Sequence, residues 1–138
     1  MNMGKLGIGK LYFEEGLPGF HNLRFFHLAN EESNSSFYVL KSEEEEVEFW
    51  AIDPFVFFQD YEFTLSDQAK SLLRIEEDST IAILNLITLR QDRLVTVNLK
   101  APIVINCDQQ KAKQIILNDE KYDIRHPLFQ LQAIAASE

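Results

Sequence analysis

Three histidines, one cysteine and a run of carboxylates are the side chains in this sequence that could do chemistry, and their spacing decides which. His21, His27 and His126 form no HxH, HxxxH or HExxH pattern, and Cys107 has no second cysteine beside it. A metal site needs three or four such ligands at short spacing, so none is expected. Cys107 lies at the end of an apolar stretch with no local base to activate it, and reads as a small apolar filler. Gly4, Gly7 and Gly9 lack the strand-turn-helix setting of a phosphate-binding loop, and no GxSxG, P-loop or GxGxxG occurs. Asp53 and Asp60 are the one pair with a case as acid and base. Paired carboxylates hydrolyse bonds when their surroundings push the two pKa values apart. These two stand among other acids, and the preferred reading is a turn-forming Asp53 before Pro54 and a solvated Asp60. No enzyme activity and no cofactor are expected, with a carboxylate-dependent hydrolase kept as an alternative.

What remains is a surface rather than a reaction centre. VEFWAIDPFVFFQDYEF, residues 47–63, holds seven aromatic side chains: Phe49, Trp50, Phe55, Phe57, Phe58, Tyr61 and Phe63. Phe49, Trp50 and Phe63 are expected to fill a core. Phe55, Phe57, Phe58 and Tyr61 share their stretch with Asp60 and Glu62, which hold part of it in water. Large aromatics rimmed by carboxylates suit a protein-binding hot spot. The same rings suit a ligand- or oligosaccharide-binding module, a second alternative.

The charge is as localised as the aromatics. The chain of 138 residues carries a net charge of −9, yet 43–67 contains no Lys or Arg. Glu43, Glu44, Glu45, Glu46, Glu48, Asp53, Asp60, Glu62 and Asp67 all fall there, and the remainder is balanced. Such a field repels nucleic acid, which proteins bind by neutralising phosphates, and attracts a basic partner. Glu43, Glu44, Glu45, Glu46, Glu48 and Asp53 are therefore assigned an electrostatic role, with the EEEE run as a solvated hairpin loop.

The elements that must position these residues are mostly strands. Arg93 to Lys100 alternates, with Val95, Val97 and Leu99 on one face and Thr96 and Asn98 on the other. Thr80 to Leu89 is apolar on both faces and predicts a central strand. Leu23 to Leu28, Ser36 to Leu40, Val47 to Ile52, Ile103 to Asn106 and Gln114 to Leu117 predict shorter strands. Turn residues separate them at Gly16 to Gly19, Asn30 to Asn34, Gln91-Asp92 and Cys107-Asp108. Ser66 and Asp67 start a helix with Ala69, Leu72 and Leu73 on its apolar face. Leu128 to Ala136 predicts a second short helix, or with 129–138 a loose tail. Lys111, Lys113 and Lys121 read as guards of a strand edge. The expected fold is one all-β domain over 1–138, a small antiparallel closed or nearly closed barrel with one or two short helices. No run reaches the ~20 apolar residues of a membrane span, and the single cysteine fits a reducing, cytoplasmic setting.

Four stretches in order give the chain a resemblance: LYFEEGLPGF (11–20), DPFVFFQDYEF (53–63), TVNLKAPIVIN (96–106), and QIIL with YDIRHPL (114–128). Together they resemble the bacterial flagellar assembly factor FliW family from about Leu11 to Leu128, departing from it before Leu11. The resemblance implies a non-enzymatic β-barrel with two alternative partners. These are CsrA, an RNA-binding translational repressor whose RNA binding it antagonises, and flagellin, so that partner switching controls flagellin synthesis. It also implies no direct contact with nucleic acid.

Overall fold

The computed structural model describes residues 9–31 and 36–131. Its strands are β1 (Gly9–Phe13), β2 (Phe25–Asn30), β3 (Phe37–Ser42), β4 (Glu48–Ile52), β5 (Ile81–Leu89), β6 (Leu94–Val97), β7 (Ile103–Asn106), β8 (Lys111–Gln114) and β9 (His126–Gln130). Two short helices, α1 (Pro54–Phe57) and α2 (Asp67–Leu72), lie between β4 and β5. The sheet runs β4-β3-β2-β1-β8-β7-β5, and β4 pairs again with β5 and closes the ring. The expected barrel is therefore closed, with seven strands; its β1–β8 ladder is parallel and the others antiparallel.

Strand alternation sorts the side chains into two sets. Phe13, Phe26, Leu28, Leu40, Leu84, Ile103 and Ile105 point inward and are almost wholly buried in one cluster. Each such side chain stabilises the fold by about 1.5–3 kcal/mol through burial. The alternate residues point outward but are not left in water. Ile83 and Val104 pack beneath Leu73 at the end of α2, and Ile52 and Val97 pack beneath Tyr61 and Phe58. The barrel carries apolar layers on both sides of its wall.

β5 is the pivot. Its first half pairs with β7, Asn85 to Ile87 face β4, and its last residues pair with β6. β6 in turn holds β9, through a ladder whose register shifts between Val95 and Thr96. These two strands stand outside the ring and lie against its outer face, where the Phe129 ring comes 6.3 Å from Phe37 of β3.

Turns are built from particular side chains. Gly16 has φ of 65°, and a Cβ there would sit 2.6 Å from the Phe20 carbonyl oxygen, so only glycine fits. Buried Asn106 accepts from the N–H groups of Asp108 and Gln109, shaping the β7–β8 turn. Its amide donates to the Leu73 and Arg74 carbonyls, tying the end of α2 to the barrel. Ser66 is the N-cap of α2, accepting from Ala69 N–H.

The structure corrects several expectations. Leu128 to Gln130 belong to strand β9, not a helix or loose tail, because they complete the β6 edge; 132–138 lie outside the described residues. The strand expected over 114–117 falls at Lys111–Gln114. Lys111 and Lys113 guard no edge, since β8 lies between β1 and β7, and they pair with Glu14 and Glu15. Thr96, placed on the face opposite Val95 and Val97, is buried as they are. The turn expected over 30–34 falls partly on residues outside the description.

Candidate functional site

Asp53 begins the site. Its backbone is extended, its carboxylate accepts the Phe55 N–H at 3.0 Å, and Pro54 occupies the first helical position, where a missing N–H costs nothing. The chain leaves β4, makes the single turn of α1, and lays 55–63 across the outer face of the barrel. Asp53 is itself 8% exposed, and burial pushes its carboxyl above the ordinary range. Its place in the electrostatic set is thereby corrected. It is a structural cap whose charge is turned toward the protein.

Tyr61 is the second correction. It is buried, and its hydroxyl donates to the Leu99 carbonyl at 2.6 Å and accepts from the Asn85 amide at 3.1 Å. Phe63 and Tyr122 meet its ring at 5.6 and 4.8 Å. Burial raises its pKa to about 12. At 4% exposure this ring offers little surface of its own; it is the centre on which the outer layer is assembled. Asn85 Oδ1, in the same layer, is buried and has no hydrogen-bond partner among the described residues.

Other members of the expected set remain at the surface. Phe57 is 37% exposed and Val56, beside it, 55%. The Phe57 ring meets Phe37 edge-on at 6.0 Å, which continues the apolar strip to Phe129. Phe58 is half-buried against His126, the rings 5.1 Å apart and nearly perpendicular. Phe55 is half-buried and leans on Tyr61. Trp50, expected inside, points outward opposite Ile87 and is 39% exposed, because its neighbours Phe49 and Ala51 take the inward positions. Phe63, also expected inside the barrel, packs in the outer layers instead.

Phe57, Phe58, Asp60 and Tyr61 line one shallow groove of about 450 Å³, completed by Lys121 and His126. Asp60 and Glu62 are exposed on this side, and Glu62 N–H and carbonyl both bond the Tyr122 hydroxyl. Asp53 does not line the groove, so the geometry leaves the acid-base pair unassembled. Among the described residues no three His, Cys, Asp or Glu side chains come together to hold a metal ion.

The EEEE loop is more structured than a solvated run. Ser42 Oγ accepts from the Glu44 and Glu45 N–H groups, turning the chain out of β3. Glu44 accepts from the Arg24 and Phe25 N–H groups at 2.8 and 3.0 Å, pinning the start of β2. Glu43 pairs with Lys10 at 3.3 Å, and Glu48 stands opposite Lys41. Among the described residues no side chain or backbone group pairs with the Glu45 and Glu46 carboxylates.

Sequence reasoning missed Phe37, Phe129, Tyr122 and His126. Strand parity was the available signal for Phe37. Nothing local signalled the other three, which meet the aromatic segment only because β9 folds over the barrel. Among the described residues no helix is long and apolar enough to cross a membrane.

Comparison with known proteins agrees with this architecture. The family model described as FliW protein matches residues 3–128, beginning before the Leu11 boundary expected from the sequence. The chain is 39% identical over 125 residues to the flagellar assembly factor FliW of Clostridium botulinum (strain Okra / Type B1), covering 89% of this chain and 87% of that protein. It is 44% identical over 119 residues to the protein of the same name from Clostridium novyi (strain NT), covering 85% and 83%. A crystal structure of the flagellar assembly factor FliW superposes with a TM-score of 0.80 at 35% identity, covering 87% of this chain and 85% of that one.

Proposed function

The chain belongs to the FliW family, and on that premise we propose that it acts in flagellum assembly as a non-enzymatic, protein-binding regulator in the cytoplasm. Its two alternative partners in this reading are CsrA and flagellin. Bound to CsrA, it lowers the repressor's affinity for RNA; flagellin, when it accumulates, takes its place and leaves CsrA free to repress.

The observation that carries this reading is the face built by 48–62. Val56, Phe57 and Trp50 remain exposed there on a packed layer, on the segment that also carries Asp60, Glu62 and Glu48. Exposed aromatics held by a packed support lose little conformational entropy when a partner covers them, which is what a hot spot requires. The contact set proposed is Phe57 and Phe58 with Val56, Asp60 and Glu62, supported from beneath by Phe55 and Tyr61. Glu45, Glu46 and Glu48 supply the field, acting over roughly the ~8 Å Debye length. An acidic protein docked beside an RNA path opposes the phosphates without overlapping them. A coupling of ~1–3 kcal/mol would weaken RNA binding by about 5–150-fold, and RNA would weaken this complex by the same factor.

Calorimetric titration of the chain with CsrA, and separately with flagellin, at low and high salt tests the proposal. Binding to CsrA that weakens with salt and is displaced by flagellin is the expected result. Failure to bind either protein at low salt would overturn it.

A further inference from the structure

A second concave surface lies where β5 and β6 run on beyond the closed ring, and it shares no lining residue with the aromatic groove. It is a cleft of about 490 Å³. Leu86 and Thr88 alternate along β5 on its inner side, Arg90 follows directly after the strand, and Thr96 of β6 stands opposite Thr88. Phe49 and Leu86 pack against the barrel interior and give the cleft an apolar floor. Ile124 and Arg125, from the segment before β9, complete it.

The charge here is opposite to that of the molecule. In a chain of net charge −9, two guanidinium groups line this cleft and, among the described residues, no Asp or Glu does. Neither group is consumed by the fold. Arg90 approaches Asp92 Oδ1 through Nε at 3.7 Å, and that oxygen already accepts the Leu94 N–H at 3.1 Å. Among the described residues Arg125 makes no hydrogen bond or ion pair.

We infer that this cleft docks an extended segment of a partner protein, seating a large apolar side chain on Phe49, Leu86 and Ile124 and a neighbouring Asp or Glu carboxylate between Arg90 and Arg125. Planar guanidinium groups suit carboxylates because they donate two parallel N–H bonds. A small free anion would leave the apolar floor unused. A nucleic acid would meet the acidic 43–67 field. The same field limits the partner to an isolated carboxylate within an otherwise neutral or basic segment, since a broadly acidic surface would be repelled.

Phage-displayed random dodecapeptides panned on the full chain, with the R90Q/R125Q double variant as counter-selection, test the assignment without CsrA or flagellin. The expected enrichment is Asp or Glu within two residues of Leu, Ile or Phe. The best synthetic peptide should weaken roughly tenfold for each guanidinium removed. Replacing its acidic residue by the amide should cost as much on the native chain and nothing on the double variant. No consensus, a basic consensus, or equal binding to the double variant would overturn the assignment. Self-association of the native chain that the same two substitutions abolish would overturn it in favour of a second copy as the occupant.

Discussion

The interior of the barrel and the aromatic layer on its outside use the same kinds of side chain for different ends. Inside, Phe13, Phe26, Leu40 and Leu84 are sealed by a closed ring of ladders in a cluster of apolar side chains. Outside, Phe55, Phe58 and Phe63 share their layer with the hydroxyls of Tyr61 and Tyr122, the Asn85 amide and the His126 ring. Closure explains the difference. A closed barrel has satisfied its backbone groups, but its outward Ile52, Ile83 and Ile87 still need cover. The segment 53–63 supplies that cover incompletely and leaves Val56, Phe57 and Trp50 at the edge. A partner can add burial only where the protein's own layering stops.

The largest effect should come from breaking the interior. Phe26→Ala removes a ring with no exposure and should destabilise the fold by about 3–5 kcal/mol in thermal or urea unfolding. Phe57→Ala, 37% exposed on its one-turn helix, should cost less than about 1 kcal/mol yet weaken partner binding by tenfold or more. Equal destabilisation by the two would erase the distinction between sealed core and offered surface.

Tyr61→Phe tests whether the outer layer depends on its polar centre. The ring stays, but the Leu99 carbonyl and the Asn85 amide each lose a partner, at a cost of about 1–3 kcal/mol. The hydroxyl also sets an alkaline limit. Its pKa is about 12 in the fold against 10.0 for an ordinary tyrosine, so the unfolded chain loses this proton first. The stabilisation is complete below pH 10 and is lost as pH rises toward about 12. The Phe variant should lack that decline, measured as ΔG of unfolding against pH.

The sequence made the barrel legible because alternation survives in most strands. Leu94–Val97 forms a strand within the expected Arg93 to Lys100, and Ile103–Asn106 forms as predicted. Ser66 and Asp67 announced α2 through local capping chemistry alone. The outer layer was harder to read for a physical reason. DPFVFFQDYEF fixes that a turn follows Asp53, but which rings face inward depends on β9 arriving from more than sixty residues away. Tyr61 and Phe57 look equally exposable in sequence, and only the Leu99 carbonyl and Asn85 amide, brought together by β5 and the end of β6, decide that Tyr61 is held inside. Glu44 is similar: in the sequence it is one of four glutamates, and its capping of Arg24 and Phe25 follows from β2 and β3 being neighbours.

Asp53→Asn separates capping from charge. Asparagine caps a helix about as well as aspartate, so α1 should keep its turn. Burial raises the Asp53 carboxyl above 3.8, which means the fold favours its protonated form. That contribution is fully present below pH 3.8 and is lost as pH rises through the raised native value. Relative to Asp53→Asn, the native chain should therefore be progressively less stable above pH 3.8, levelling off once the carboxyl is ionised in the fold. Asp53→Ala should lose about 1 kcal/mol of capping at every pH. A native chain that gains on the Asn variant with rising pH would show that the ionised cap is favoured, and that this end of α1 is wetter than its 8% exposure implies.

The smallest effect on stability belongs to the acidic loop, and there a small effect is the informative one. Glu45 and Glu46 are exposed, and their side chains make no ion pair or hydrogen bond among the described residues, unlike Glu43 with Lys10 and Glu44 with the start of β2. Glu45→Lys with Glu46→Lys changes the net charge from −9 to −5 and should alter unfolding free energy by no more than about 0.5 kcal/mol. Adding Glu44→Lys should cost more, because the Arg24 and Phe25 N–H groups would lose their acceptor. If the loop acts on a partner through its field, the double reversal should slow association and flatten its salt dependence while the aromatic contact persists. Phe57→Ala should do the reverse, speeding dissociation with the salt dependence unchanged. Rates measured at two salt concentrations for both variants separate the surface that attracts from the surface that holds.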